Sequence, residues 1–567
     1  MAQQLYFSRD TRMFVQFRNP ADNTEAALKL GAGKLWEIPV LDGYSFSQTT
    51  NTSEITLAEM ESTVGISRRG RRVFTDSLAP AEWSCSTYIR PFKSKINSGG
   101  GLTTGAVAAS DAAEVHAVEE VFWASMFGAD TYTTGSGFTR ASNPAASAGT
   151  HTSGNVITPA ATKTTISIGE SNRSAMTAFT IFFMIDTATS NPLVYRLPEA
   201  VVNEASVDFD VDGIATISWS GMAKEVQDIS GKVITGITPP ASNATGVLGR
   251  KDGAAIALGD LFVDTDNALG RQVSLVSVVP GGTNVVTTVP AIDEATTSTK
   301  NFIRNRLTSV GIEAAEGTDK ISTIFPGANA AISGVVVGTD VISTSTAHGF
   351  ATGDQVFING VSGTVELNGT HKFVGVVNTT SFKLYDTAAN ATTNGATGRF
   401  NLTASWTSGG TVANGKYNLV LTGGSFTLGN NITYLVPEEL GAINKPLEHV
   451  TGNRSATGAA TCYLTLDDGD LSNGTSRQFF NDLVSTGAMS KTVNKFKVTM
   501  SVGGAVAVGN STDPALQIIF PTAHIEVPTH SIEDVISLET NFQALPTNFG
   551  TADEVSSITY FPVDDYA

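Results

Sequence analysis

The sequence predicts a mainly β protein made of two related modules, each with one helix, and a small all-β domain inserted into the second. Three observations carry that prediction. Apolar residues alternate with polar ones or form runs of about four to eight rich in β-branched and aromatic residues, separated by Gly, Asn, Asp and Ser clusters. Helical periodicity is confined to two short stretches. Six landmarks of the N-terminal part recur in the same order near the C-terminus, the mark of an internal duplication.

The clearest strand-length runs are Trp36–Leu41, Phe179–Ile185, Ala215–Trp219, Tyr417–Leu421 and Ala515–Phe520. The first helix is predicted over Asp111–Phe127. Asp111 serves as N-cap, Glu114 completes a capping box, Val115, Val118, Phe122 and Met126 form an apolar stripe, and Gly128 ends it. The second is predicted over Ser476–Thr486, with Phe479, Phe480, Leu483 and Val484 apolar and Gly487 as the stop.

The duplication pairs Gly43–Phe46 with Gly423–Phe426, Ile55–Met60 with Tyr434–Leu440, and Ser84–Ile89 with Thr461–Leu464. The two helices follow, then Phe179–Ile185 with Phe496–Val502. Last, Leu197-Pro198-Glu199-Ala200 and its tail to Trp219 match Phe520-Pro521-Thr522-Ala523 and its tail to Phe542. The longer spacing in the first copy falls in Ser/Thr/Gly/Ala-rich stretches such as Ala129–Thr164, read as insertion-tolerant loops. The expected organisation is module 1 over residues 1–226, a linker with some strand content over 227–300, and module 2 over 301–325 and 396–550. A small β domain is inserted at 326–395 and a C-terminal tail covers 551–567. The insert is read from strand-length runs and Gly or Asn-Gly turns across Val335–Asp386. Phe302–Ile312 and Tyr417–Phe426 are read as neighbouring strands on either side of it.

The chain has 567 residues, of which 53 are acidic and 35 basic, a net charge of −18. Charged residues make up only 16%, against roughly 25% in an ordinary soluble domain. Such a balance argues against a protein that grips nucleic acid from outside, which needs a basic footprint. Two cysteines, Cys85 and Cys462, are too few for a disulfide framework or a Cys-rich zinc site. The N-terminal residues lack a signal-peptide pattern, and the most apolar stretch, Ala175–Ile185, is too short to span a bilayer. A soluble chain made in a reducing cytoplasm is expected.

Enzyme signatures are missing. No histidine pair forms a His-Glu-x-x-His motif, and no Gly-x-Ser-x-Gly elbow occurs. His524 and His530 would share a face of one regular strand, an arrangement that suits structural histidines better than a metal pair. The run Gly410–Tyr417 approaches a phosphate-binding loop but ends in Tyr where Ser or Thr must ligate Mg²⁺, so it is read as a hairpin loop. Cys85 and Cys462 occupy matching positions of the duplication, which favours small core residues over nucleophiles. No catalytic, cofactor or metal residue is assigned. One charge pattern stands out: Glu204, Asp208, Asp210 and Asp212 share parity on a run whose other parity carries Ala205, Val207, Phe209 and Val211. As a strand it has one apolar and one acidic face. Such a face is either simply solvated up to the Asp212-Gly213 turn or a repulsive wall facing a polyanion.

Several stretches resemble the major tail tube proteins of long-tailed, siphovirus-like bacteriophages. They are Trp36–Gln48, Arg68–Arg72, Leu78–Ser84 with Thr87–Phe92, Arg304–Leu307, Asn430–Tyr434 and Gly452–Gly458. Separately, Val335–Asp386 is similar to a small β domain of phage structural proteins related to the first catalytic cysteine half-domain of ubiquitin-activating enzymes. It contains no cysteine, so no such activity is implied.

The resemblance implies β-sandwich modules with a flanking helix, strands of neighbouring modules joined into an inner barrel, and a long hairpin, here Glu59–Pro80, reaching the next ring. It further implies a structural virion protein, not an enzyme, that stacks as rings into the tail tube, the conduit for DNA ejection. Its partners would be itself, with three copies per ring preferred over six, a tape-measure protein, and tail terminator and tip proteins. DNA would pass through the lumen without specific binding, and no membrane or cofactor is involved. The location would be the virion tail, and host cytoplasm during assembly. Glu204, Asp208, Asp210 and Asp212 would then face the lumen, and the inserted domain the exterior. The competing reading is a tail-fibre or adhesin protein that binds host glycans; a polysaccharide-degrading tail enzyme is a third.

Overall fold

A computed structural model of the chain describes residues 11–17, 35–56, 71–94, 114–129, 131–133, 137–140, 154–160, 163–168, 178–185, 193–210, 213–231, 234–236, 261–264, 269–277, 285–290, 292–293, 308–314, 330–353, 355–367, 370–386, 388–414, 417, 419–437, 444–465, 476–484, 496–503, 505–506, 512–513, 515–532, 535–546 and 553–561. The fold is mainly β, with few and short helices.

Twelve strands carry the duplication. The first six are β1 (Thr11–Phe17), β2 (Ser45–Ser47), β3 (Ala81–Tyr88), β4 (Phe179–Ile185), β5 (Leu193–Asp210) and β6 (Thr216–Ala223). The second six are β7 (Ser309–Ala314), β8 (Leu421–Gly429), β9 (Ser455–Tyr463), β10 (Phe496–Val502), β11 (Leu516–Ile525) and β12 (Ile536–Ala544). Antiparallel pairing runs β1-β4-β5-β6-β3-β2 in the first set. In the second it runs β7-β10-β11-β12-β9-β8, the same order strand for strand.

The Pro-containing echo has a physical reason. On β4, Phe179 and Ile181 face Ala200 and Leu197 of β5, so Pro198 and Glu199 hold one residue more than the partner strand. On β10, Phe496 and Val498 face Ala523 and Phe520 of β11, leaving Pro521 and Thr522 in the same place. A bulge inserts one residue and bends the strand, and Pro, which has no N–H to donate, is tolerated there. Glu199 completes the bend with φ of +54°. Beyond it β5 leaves β4 and pairs with β6, which carries the chain from one layer of the module to the other.

Alternation then builds the core. In β3 Ala81, Trp83, Cys85 and Thr87 are buried while Glu82 is exposed. In β6 Ile217, Trp219, Gly221 and Ala223 are buried. Cys85 faces Trp219, and in the second set Cys462 faces Leu538. Both cysteines are free and buried, and burial pushes both thiols up, that of Cys462 to about 11.

Each module is closed by a helix. Helix α1 (Glu120–Met126) packs Phe122 and Trp123 on Trp219, with ring centroids 5.1 and 4.8 Å away. Helix α2 (Ser476–Val484) places Phe479 5.0 Å from Tyr417 and 6.3 Å from Phe496. At about 1.5–3 kcal/mol for each large apolar side chain buried, these rings are a main source of module stability. The first helix is shorter than its sequence pattern. Glu114–Ala117 is a strand paired with Pro91–Ser94, and its β-branched Val115 suits that pairing. Asp111 lies outside the described residues. Gly128, with φ of +73°, follows the helix end as expected.

Three connecting segments carry further strands. Within Ala129–Thr164, read as loops, strands Thr131–Thr133, Gly137–Arg140, Gly154–Thr158 and Thr164–Ile166 form a ladder. Its last strand pairs with Ser557–Tyr560, which also pairs with β11, so part of the first module extends the outer sheet of the second. The stretch 227–300 holds a separate four-stranded sheet of Ile234–Gly236, Leu261–Asp264, Leu269–Ser277 and Val285–Pro290.

The third segment is a closed six-stranded barrel running from Ala330 to Asn414, past residue 395. Its core is its own, with Ile342, Val356, Ile358, Val374, Phe382 and Val412 inside. Its last strand is Ser408–Asn414, so Gly410 and its neighbours, read as a hairpin loop, are a barrel strand. Gly410 has φ of +101° and Val361 Cγ2 2.6 Å from where a Cβ would stand, which is why glycine occupies it. On leaving the barrel the chain returns to the second module where Tyr417 N–H donates to the Ile312 carbonyl at 3.0 Å, a bridge that makes those segments neighbours.

Candidate functional site

The distal half of β5 has two partners. On one side it pairs with β6; on the other it pairs with β8 of the second set, from Glu204 opposite Gly429 to Asp210 opposite Gly423. One sheet therefore runs β2-β3-β6-β5-β8-β9-β12 and ends on β11 and Thr529–Ile532. Two glycines allow this close approach of strands and rings. A Cβ on Gly424 would stand 2.7 Å from the Phe209 ring across the junction, and one on Gly458 2.3 Å from the Phe542 ring.

One face of the sheet is core. The other is lined by small polar side chains. Ser45 and Ser84 hydroxyls lie 2.8 Å apart between β2 and β3, Ser86 and Ser218 3.1 Å apart between β3 and β6, and Ser206 and Thr427 3.1 Å apart across the β5–β8 junction. Among these hydroxyls stand the carboxylates of Glu82, Glu204, Asp208, Asp210 and Glu539, all exposed. No lysine or arginine occupies the outward positions of the strands from β2 to β12 in this sheet. With no lysine or arginine on these strands' outward positions, the carboxylates set a negative potential along the face.

Of the four acidic residues singled out from sequence, Glu204, Asp208 and Asp210 share this face, opposite buried Ala205, Val207 and Phe209. Asp212 lies outside the described residues. Asp210 also accepts the Gly213 N–H at 2.6 Å and so helps shape the following turn. Glu82 and Glu539 were not singled out. Each sits in an alternating run, Ala81–Tyr88 or Leu538–Ala544, but only the pairing register brings them onto the same face. His524 and His530 fall on different strands, separated by 526–528, and His530 stacks edge-on against Phe480 at 4.6 Å. Among the described residues no cluster of three or more potential metal ligands occurs, and no helix is long and apolar enough to cross a membrane.

Each module also extends a hairpin between its first two inner strands. Thr50–Thr56 with Arg71–Leu78 follows β2, and Ile432–Leu435 with Glu448–Thr451 follows β8. Both expose apolar side chains, Val73 and Phe74 on one and Leu435, Leu447 and Val450 beside the other. The two hairpins meet where Leu78 N–H donates to the Asn444 carbonyl at 2.8 Å. Residues 57–70, with Arg68 and Arg69, lie outside the described residues.

The chain is similar to the tail tube protein pb6 of Escherichia phage T5, at 34% identity over 141 residues. That stretch is 25% of this chain and 28% of the relative, so the likeness spans under a third of either protein. No family model matches the chain.

Proposed function

We propose that this chain is a structural protein of a phage tail, which polymerises as stacked rings into the tail tube. The observation that carries the reading is the unbroken sheet. Its internal junction joins the distal edge of β5 to β8, and its two ends present the corresponding edges: β2, which corresponds to β8, and the segment through Thr529–Ile532, which follows β11. Among the described residues β2 pairs only with β3. At the other end Val527 and Ile532 are 53% and 79% exposed. Unpaired edges with apolar side chains are a hazard in a monomer. Repeating the internal junction between copies removes both, and a head-to-tail contact of this kind closes into a ring.

Three copies would place six four-stranded units around the ring. With roughly 24 strands about 4.8 Å apart and tilted about 40°, the backbone circle is about 50 Å across, wide enough for a nucleic-acid duplex. The carboxylate-bearing face would line this lumen. Each lysine or arginine that neutralises a phosphate releases counterions and holds the nucleic acid, so a wall without them lets DNA pass. The exposed hairpins would supply contacts between stacked rings, with tape-measure, terminator and tip proteins as further partners, and the inserted barrel would stand on the outside. The account requires no catalysis and no cofactor. Negative-stain microscopy of the purified protein, alone and with its virion partners, tests the reading. Rings or hollow polymers are expected; a protein that stays monomeric under both conditions overturns it.

A further inference from the structure

The strand Ser557–Tyr560 lies between two modules. It pairs with Thr164–Ile166 on one edge and with Leu516–Ile519 on the other. The Tyr560 side chain enters the base of helix α1. Its hydroxyl donates to Glu119 Oε1 at 2.5 Å and accepts from Trp123 Nε1 at 2.8 Å. Glu119, Trp123 and Tyr560 are all fully buried. A second buried pair adjoins them, His116 Nδ1 with Glu120 Oε2 at 3.1 Å. Buried ionisable groups are costly unless the charges compensate, and here a row of them sits where the chain's last described strand is pinned to its first module.

We infer that this cluster is a proton-dependent latch: the C-terminal strand is docked onto helix α1 in a state that holds more protons than the undocked state. The geometry gives the direction. Among the described residues Glu119 Oε2 is buried with no hydrogen-bond partner, so the charged form has one oxygen uncompensated while Oε1 accepts from Tyr560. Other ionisable groups act on the cluster. Arg90 favours the charged form of Glu119 and Glu120 opposes it. Glu114 and Glu120 favour protonated His116, and Glu119 and Glu120 hold the Tyr560 proton in place.

Desolvation wins at Glu119 and lifts its carboxyl to about 7. At His116 desolvation works downward, but the carboxylates of Glu120 and Glu114 outweigh it and raise the imidazole. Glu119 therefore binds its proton more tightly in the docked state, whereas the carboxylates that favour the His116 proton lie on its own segment and stay with it when the strand leaves. The Glu119 contribution is fully present below the ordinary carboxylate range and is lost as pH rises from there to about 7. Above that range Glu119 is a buried anion beside Glu120.

Amide hydrogen exchange of residues 557–560 in the full-length protein, measured from pH 4.5 to 8 and corrected for the intrinsic pH dependence of exchange, tests this. Opening of the strand should increase by up to about tenfold per pH unit as pH rises to about 7 and level off above it, where Glu119 is ionised in both states. Glu119→Gln, which keeps an acceptor for Tyr560 but cannot ionise, should flatten that slope. Tyr560→Phe removes a donor that favours the ionised Glu119, so it should raise opening at pH 8 more than at pH 4.5. Wild-type protection independent of pH, or an unchanged slope in Glu119→Gln, would overturn the latch. Both outcomes are read on the isolated chain, so they stand apart from whether it forms rings.

Discussion

The lining carboxylates illustrate what a single residue contributes. Glu204 and Asp208 point away from the core, and both are exposed. Replacing both by lysine should leave the fold intact, since exposed substitutions of this kind change stability by about 0.5 kcal/mol or less. In a phage carrying the variant, DNA ejection should slow at low salt and recover as salt rises, because each new lysine adds a phosphate contact that salt competes away. Ejection kinetics against ionic strength measure it; unchanged ejection at low salt would remove these residues from the lumen wall. The glycine under Phe542 behaves in the opposite way. Gly458→Ala puts a methyl 2.3 Å from that ring and 2.9 Å from the Ser425 carbonyl. Overpacking of this kind costs about 1–3 kcal/mol, readable as a lowered urea midpoint. Adding Phe542→Leu should recover part of it, as expected for two residues in contact.

At the scale of elements, local pattern and distant pairing made different things legible. The acidic face of β5 could be read from seven consecutive residues, because strand alternation is a local property. The echo of Pro198 in Pro521 was equally local, but only the pairing shows that each sits in a bulge. The first helix was overextended because Val115 and Val118 fit a helical stripe as well as a strand, and the competing partner, Pro91–Ser94, lies far back in the chain. The ladder within 129–166 was read as loop because its anchoring strand is Ser557–Tyr560, at the other end of the sequence. Short Thr-rich segments acquire strand character from such partners, and no window of sequence contains both. The β5–β8 junction is of the same nonlocal kind and has a test of its own. Gly424→Ala would press a methyl 2.6 Å from the Ala459 carbonyl and 2.7 Å from Phe209. Amide exchange of Gly423–Gly429 should rise more than that of β4 or β10, the outer-layer strands. A uniform rise throughout the protein would mean that the junction is not a separate element.

Taken as a whole, the molecule is two copies of one six-strand plan joined edge to edge, with a separate barrel spliced into the second. Its net charge of −18 fits a surface that surrounds a polyanion without holding it. The duplication makes the ring arithmetic strict: if β5–β8 is the template for contacts between chains, a ring of six units needs three chains. Single-particle mass measurement of rings released from the polymer decides the point most directly. The expected mass is three times that of the 59.2 kDa chain. A ring of six chains would contradict it, since then only one module of each chain could take part in the ring.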